Sequence, residues 1–195
     1  MAVSDSGVDD SSSGADESNS GVDDDEGVDL DGEASGSEVV LGWREWISFP
    51  EWGIEAMKAK IDTGARTSAI HAADIETFER DGADWVSFTA HPWQRNDDDA
   101  RRVEALVIDE RDVTSSSGTT SRRIVVRVTI DLAGEPHEVE LTLTRRDDMG
   151  FRMLLGREAM RGRYLVDPSR SYLTGRPSAR IRNRNRRRPA EGIAS

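Results

Sequence analysis

The sequence predicts a small all-β domain, barrel or sandwich in form, between two polar tails of opposite charge. Three observations carry this. Between residues 39 and 175 apolar side chains recur mostly at every second position, the period of strands buried on one face. Helical patterning is sparse over the same span. The composition also changes abruptly at both ends: residues 1–38 hold thirteen Asp or Glu and no Lys or Arg, and residues 176–195 hold seven Arg and one Glu. The reading is therefore a disordered acidic leader over 1–38, a folded domain over 39–175 and a disordered basic tail over 176–195.

Each element follows in chain order. "VVLGWREWISF" is an extended segment carrying Trp43 and Trp46, and Ala59 and Ile61 run a short apolar strand into Asp62. "AADIETFERDG" reads as a turn or two of helix before Gly82. "RVEALVIDE" is a strand apolar on both sides. "RIVVRVTIDL" is the clearest strand in the chain, with Ile124, Val126, Val128, Ile130 and Leu132 on one face. "AGEP" supplies turn chemistry at Gly134 and Pro136, and Val139, Leu141 and Leu143 resume the alternation, which makes a hairpin. After the apolar "MLL", "GREAMRGR" fits one short helix, and "LVDPS" around Asp167 is a turn. No internal duplication is visible at any period, so one such domain is expected.

Composition excludes several chemistries. Cys is absent from the 195 residues, which removes disulfides, thiolate metal sites and a Cys nucleophile. No window approaches the roughly 20 apolar residues of a membrane span, and neither end reads as a targeting segment, so a cytoplasmic protein with no membrane role is expected. "RIRNRNRRR" offers charge for nucleic acid, although a solvated tail is the simpler reading. Ser115 to Ser117 have no neighbouring base to make a nucleophile, and Asp97 to Asp99 lack EF-hand spacing.

"KIDTGARTSAIHA" is the stretch that suggests chemistry. It places one carboxylate, Asp62, at the end of an apolar strand, followed by Thr63 with a hydroxyl able to lock a turn and by Gly64, which allows close backbone approach. Some ninety residues later "MLLGRE" presents Leu154, Leu155, Gly156 and Arg157 ahead of the short helix.

With these two motifs the sequence resembles the retropepsin-like aspartic peptidases, and over roughly residues 40 to 175 it resembles their bacterial group labelled "ATP-dependent zinc protease". The resemblance implies a single-lobe acid-protease fold, a closed β-barrel with one short C-terminal helix. It also implies that Asp62, with Thr63 and Gly64, is the catalytic element and that Leu154, Leu155 and Gly156 support it from beneath. An aspartic peptidase needs two carboxylates close enough to share a proton, and the chain has one such Asp. The second is expected from Asp62 of another copy across a two-fold axis, giving a homodimeric endopeptidase with Thr63 bonding across the axis. Ala65, Arg66 and Arg157 are then expected on the substrate side. "TSSSGTTS", with Ser116, Ser117 and Gly118, is expected to be a hairpin tip closing over a peptide or protein substrate.

One departure stands out. Retropepsins carry an acidic residue where this chain has Arg66, so Arg66 and Arg157 would approach each other unless Asp74 or Glu158 lies between them or an anionic substrate does. The second solution is the expectation here. With Arg145, Arg146 and Arg152 nearby, it suggests acidic or glutamate-rich peptides, in keeping with the group's association with ATP-grasp ligases that add glutamate to a ribosomal protein. Neither zinc nor ATP has support in the residues: there is no His-Glu-x-x-His and no phosphate-binding Gly-rich loop, and no cofactor is expected. His71, with Asp74, is the single weak zinc candidate. Two alternatives stand beside the aspartic reading: a metal-dependent peptidase built on His71 and nearby carboxylates, and a non-catalytic peptide-binding adaptor.

Overall fold

Ten strands and two short helices make up the computed structural model, which describes residues 39–114, 118–146 and 149–187. The acidic leader, Ser116, Ser117 and the last residues of the basic tail lie outside them. The strands are β1 (Val39–Gly42), β2 (Arg44–Phe49), β3 (Ile54–Asp62), β4 (Ser68–Arg80), β5 (Ala83–Ala90), β6 (Arg101–Thr114), β7 (Thr120–Leu132), β8 (Glu135–Thr144), β9 (Met153–Gly156) and β10 (Tyr164–Asp167). The helices are α1 (Arg157–Met160) and α2 (Ala179–Arg186). The all-β class stands.

The pairing closes the main sheet on itself. From β2 it runs antiparallel to β3, parallel to β9, antiparallel to β4 and on through the antiparallel series β4 to β7, before Ser48 on β2 meets Asp131 on β7. Strand β8 pairs with both β7 and β4, and β1 pairs with β10 as a separate parallel ribbon. Inside lies one apolar cluster. The alternating face of β7 delivers Val126, Val128, Ile130 and Leu132 to it, each almost wholly buried. Phe49 stacks on Trp52 at 4.9 Å and Trp52 meets the edge of Phe88 at 5.4 Å; such pairs add about 1 kcal/mol each beyond area burial. The predicted β7–β8 hairpin forms with Ala133 and Gly134 at the turn, both at positive φ (65° and 82°), the geometry of a two-residue primed turn.

Two expectations are corrected. The stretch from Ala72 to Gly82 is not helical but the outer half of β4, turning at Asp81 and Gly82 (φ 54° and 73°) into β5. Asp-Gly is a hairpin signal, and pairing Thr77, Phe78 and Glu79 with Val86, Trp85 and Asp84 outweighs the weak helix preference of the Ala and Glu residues. The second concerns the basic tail, part of which is ordered as a second helix. Ser178 caps α2 by accepting from Ile181 N at 3.4 Å. Asn96 donates to the carbonyls of Arg184 and Arg187 at its other end, and Asn185 Oδ1 accepts from Gln94 N. Ile181 packs against the Trp46–Ala56–Trp93 cluster.

Candidate active site

Strand β3 ends at Asp62, where the chain turns back under its own carboxylate. Gly64 N and Ala65 N each donate to Asp62 Oδ1 at 3.2 Å, and Ala65 N is also 3.3 Å from the Asp62 carbonyl. Lys60, two residues back and so on the same strand face, donates to Oδ2 at 3.1 Å. Burial pushes the Asp62 carboxyl up, but the Lys60 ammonium and the two backbone donors outweigh it and hold the group below the usual carboxylate range. Thr63 is exposed, and its hydroxyl makes no hydrogen bond among the described residues.

The late motif meets this loop from β9 and the start of α1. Strand β9 lies between β3 and β4, pairing Ile61 with Leu155 and Asp62 with Gly156. Gly156 N donates to Ser68 Oγ at 3.1 Å, and the first amides of α1 continue the clamp: Arg157 N to Ala65 O at 2.8 Å and Glu158 N to Arg66 O at 3.2 Å. A Cβ at Gly156 would sit 2.6 Å from the Thr67 carbonyl, so this approach requires glycine. Leu155 is fully buried below the loop and Leu154 partly so. Ser68, whose carbonyl also accepts from Thr142 Oγ1 at 3.0 Å, was missed by sequence reasoning; only its place just after the Asp-Thr-Gly turn hinted at a role.

The Arg66–Arg157 conflict is resolved within the chain, contrary to the expectation of an anionic substrate between them. Arg66 Nε donates to Glu158 Oε1 at 2.7 Å, and Arg157 turns away to donate to the Gly64 carbonyl at 3.0 Å. Asp74 takes no part: its carboxylate accepts from Thr89.

Asp62 opens into a cleft of about 1120 Å³, walled by the loop after β3, by Val113 and Thr114 near the end of β6, and by β8. Thr114 and Thr120 close the β6–β7 hairpin with hydroxyls 2.9 Å apart. Of the predicted tip, Thr114, Thr120 and Ser121 lie in the β6–β7 pair and Gly118 has a φ of 83°, while Ser116 and Ser117 fall outside the described residues. The arginines divide. Arg152 is engaged by Asp97 at 2.9 Å. Arg146 lies in the cleft with Arg123, which the sequence reading did not single out, and neither has a carboxylate partner among the described residues. Burial, reinforced by the Arg123 charge and opposed by Asp62, pushes Arg146 below its ordinary pKa, and burial does the same to Arg123.

His71 is buried near His91, with ring centroids 5.2 Å apart, and its Nδ1 accepts from Arg146 N at 3.1 Å. That bond uses the lone pair a metal would need. The donors do not fit a zinc site, since among the described residues no three His, Asp or Glu converge.

A closed β-ring, an Asp-Thr-Gly turn at a strand end and a Gly-Arg element inserted beneath it define a single lobe of the retropepsin-like aspartic peptidase class. Residues 40–177 match the family described as RimB-like, retropepsin-like aspartic endopeptidase RimB, and the chain belongs to that family. Among curated proteins it is 50% identical over 141 residues to a "Probable alpha-L-glutamate ligase" of Shewanella pealeana, covering 72% of this chain and 31% of that one. It is 48% identical over 139 residues to a protein of the same name from Desulfotalea psychrophila, covering 71% and 30%. The chain thus spans about a third of the length of these relatives. A solved Legionella pneumophila protein of unknown function shares the fold, with a TM-score of 0.61 at 24% identity over 71% of this chain and 99% of that one.

Proposed function

We propose that the chain is an aspartic-type endopeptidase that works as a homodimer, with Asp62 of each copy forming one side of a carboxylate pair. The observation that carries this is Asp62 itself, lining a peptide-sized cleft with Oδ1 fixed by Gly64 and Ala65 and Oδ2 held by Lys60. Two such carboxylates across an axis cannot both ionise, so they hold one proton between them. The ionised member takes a proton from water as that water attacks the peptide carbonyl, and the protonated member donates to the carbonyl oxygen. Proton transfer to the amide nitrogen then releases the amine. Thr63 bonds across the axis, Gly64, Ala65 and Arg66 border the substrate backbone, and the β6–β7 tip closes over it.

The substrate class we propose is acidic, glutamate-rich peptide. Arg123 and Arg146, half-buried in the cleft with no carboxylate partner among the described residues, favour such a ligand. The relatives named as glutamate ligases support it too, because a ligase and a peptidase acting on one glutamate-rich tail form a functional pair. No metal takes part in this reading.

Cleavage of glutamate-rich against neutral peptides by the full chain tests it. Acidic peptide is expected to be cut faster, a statine peptide to inhibit and a chelator to have no effect. Asp62→Asn is expected to lose at least about 1000-fold in kcat while keeping its fold. Inhibition by the chelator, or full turnover by Asp62→Asn, would overturn the proposal.

A further inference from the structure

Among 26 basic residues the chain has only two lysines, Lys58 and Lys60, and both lie on the face of β3 that carries Asp62. Lys58 packs over the rings of Trp46 and Tyr172, at 5.2 and 5.9 Å. Lys60 does something else. Half-exposed in the cleft, its ammonium bonds Oδ2 of Asp62, the oxygen that the Gly64 and Ala65 amides leave free for a second carboxylate in the proposed dimer.

We infer that Lys60 is a positioning residue which holds Asp62 as the anion within one copy and releases Oδ2 when a second carboxylate and the shared proton arrive. The inference rests on the proposed dimer. Among the described residues every hydrogen bond to the Asp62 carboxylate is donated to it, two amides on Oδ1 and the ammonium on Oδ2, an arrangement that favours the anion over the protonated acid. The residue type suits a grip that lets go. An ammonium is a compact charge on a flexible stem with three rotatable donors, whereas a guanidinium holds a carboxylate in a fixed two-pronged geometry. A chain that uses arginine almost everywhere else has lysine at this position.

The other charged groups around Asp62 do not replace it. From the β8–β9 connection, Arg146 also favours the anion, and the charge of Arg123 on β7 acts on Arg146. In the loop after β3, Arg66 is taken by Glu158 of α1, whose neighbour Arg157 faces the Gly64 carbonyl. On the far wall Arg111 of β6 is engaged by Asp109 and by Glu140 of β8, and Asp112 and Glu138 complete the lining. Among the described residues Lys60 alone of the cations bonds the carboxylate. Removing it therefore moves Asp62 upward, and with it the pH range in which the pair holds one proton.

The test uses the full chain with Lys60→Met and Lys60→Arg, the Asp62 carboxyl carbon being followed by NMR across pH and assigned by its loss in Asp62→Asn. The midpoint is expected to rise in Lys60→Met and to return towards wild type in Lys60→Arg. Both limbs of the pH–rate profile on acidic peptide should shift upward in Lys60→Met. Lys60→Arg should keep the wild-type limbs with reduced kcat. A Lys60→Met midpoint identical to wild type would overturn the inference. The titration needs no turnover, so a wild-type chain that fails to cut peptide overturns the peptidase reading separately.

Discussion

Glu45 is completely buried on β2, and it is not in the cleft. Its carboxylate accepts from Gly42 N at 2.6 Å, from Leu173 N at 2.9 Å and from Thr174 Oγ1 at 3.0 Å, joining the start of the domain to the segment after β10. Glu45→Ala strands these donors away from water and is expected to cost about 3 kcal/mol in urea unfolding, whereas Glu45→Gln, which keeps an acceptor oxygen, should cost less. Equal stability of Glu45→Ala and wild type would show that these donors find other partners. Residues differ here in how far the sequence reveals them. Asp62 was legible because its donors are the next residues along, in a motif with its own local chemistry. Glu45 was not, because its main donors lie 128 and 129 positions away. Arg123 was hidden in the same way: as one arginine of a polar strand face it gains meaning only when the fold sets it beside Arg146.

At the scale of elements, the strands with strict alternation, β7 and β8, were readable along with their turn, since period and turn residues agree. The outer half of β4 was not, because its Ala, Asp and Glu carry little strand preference and the deciding fact is pairing with β5. Helix α2 was missed for a different reason. It has one apolar anchor, Ile181, and is otherwise held by amide side chains and the Asp99–Arg184 ion pair, contacts that leave no hydrophobic stripe. The junction of β9 and α1 was anticipated, and its glycine can be tested. Gly156→Ala drives a methyl into the Thr67 carbonyl, so a loss of about 1–3 kcal/mol is expected, with reduced kcat as the Asp62 loop shifts. Gly150→Ala is the control, with nothing within 4 Å of its added methyl, and should change stability little. Matching thermal midpoints for the two variants would remove the close-approach argument.

For the molecule as a whole, the chain carries one Asp-Thr-Gly motif and folds as one lobe, so in the proposed mechanism the second carboxylate comes from symmetry. Thr63, exposed and with no side-chain hydrogen bond among the described residues, and Oδ2 of Asp62 are what an axis through this point would bring together. The consequence is quantitative. If one active site needs two chains, specific activity per chain falls on dilution through the dimer dissociation constant, and native mass measured across the same range should track it. Thr63→Val should move that midpoint to higher concentration without altering the fold. Mixing is sharper still, because a pair of one wild-type and one Asp62→Asn chain has a single carboxylate and no shared proton. With free exchange and equal amounts, about half of the wild-type chains pair with the variant, so activity per wild-type chain should drop to about half and approach zero as the variant is raised. An enzyme complete within one chain would show no such loss, since the inactive variant would only dilute it.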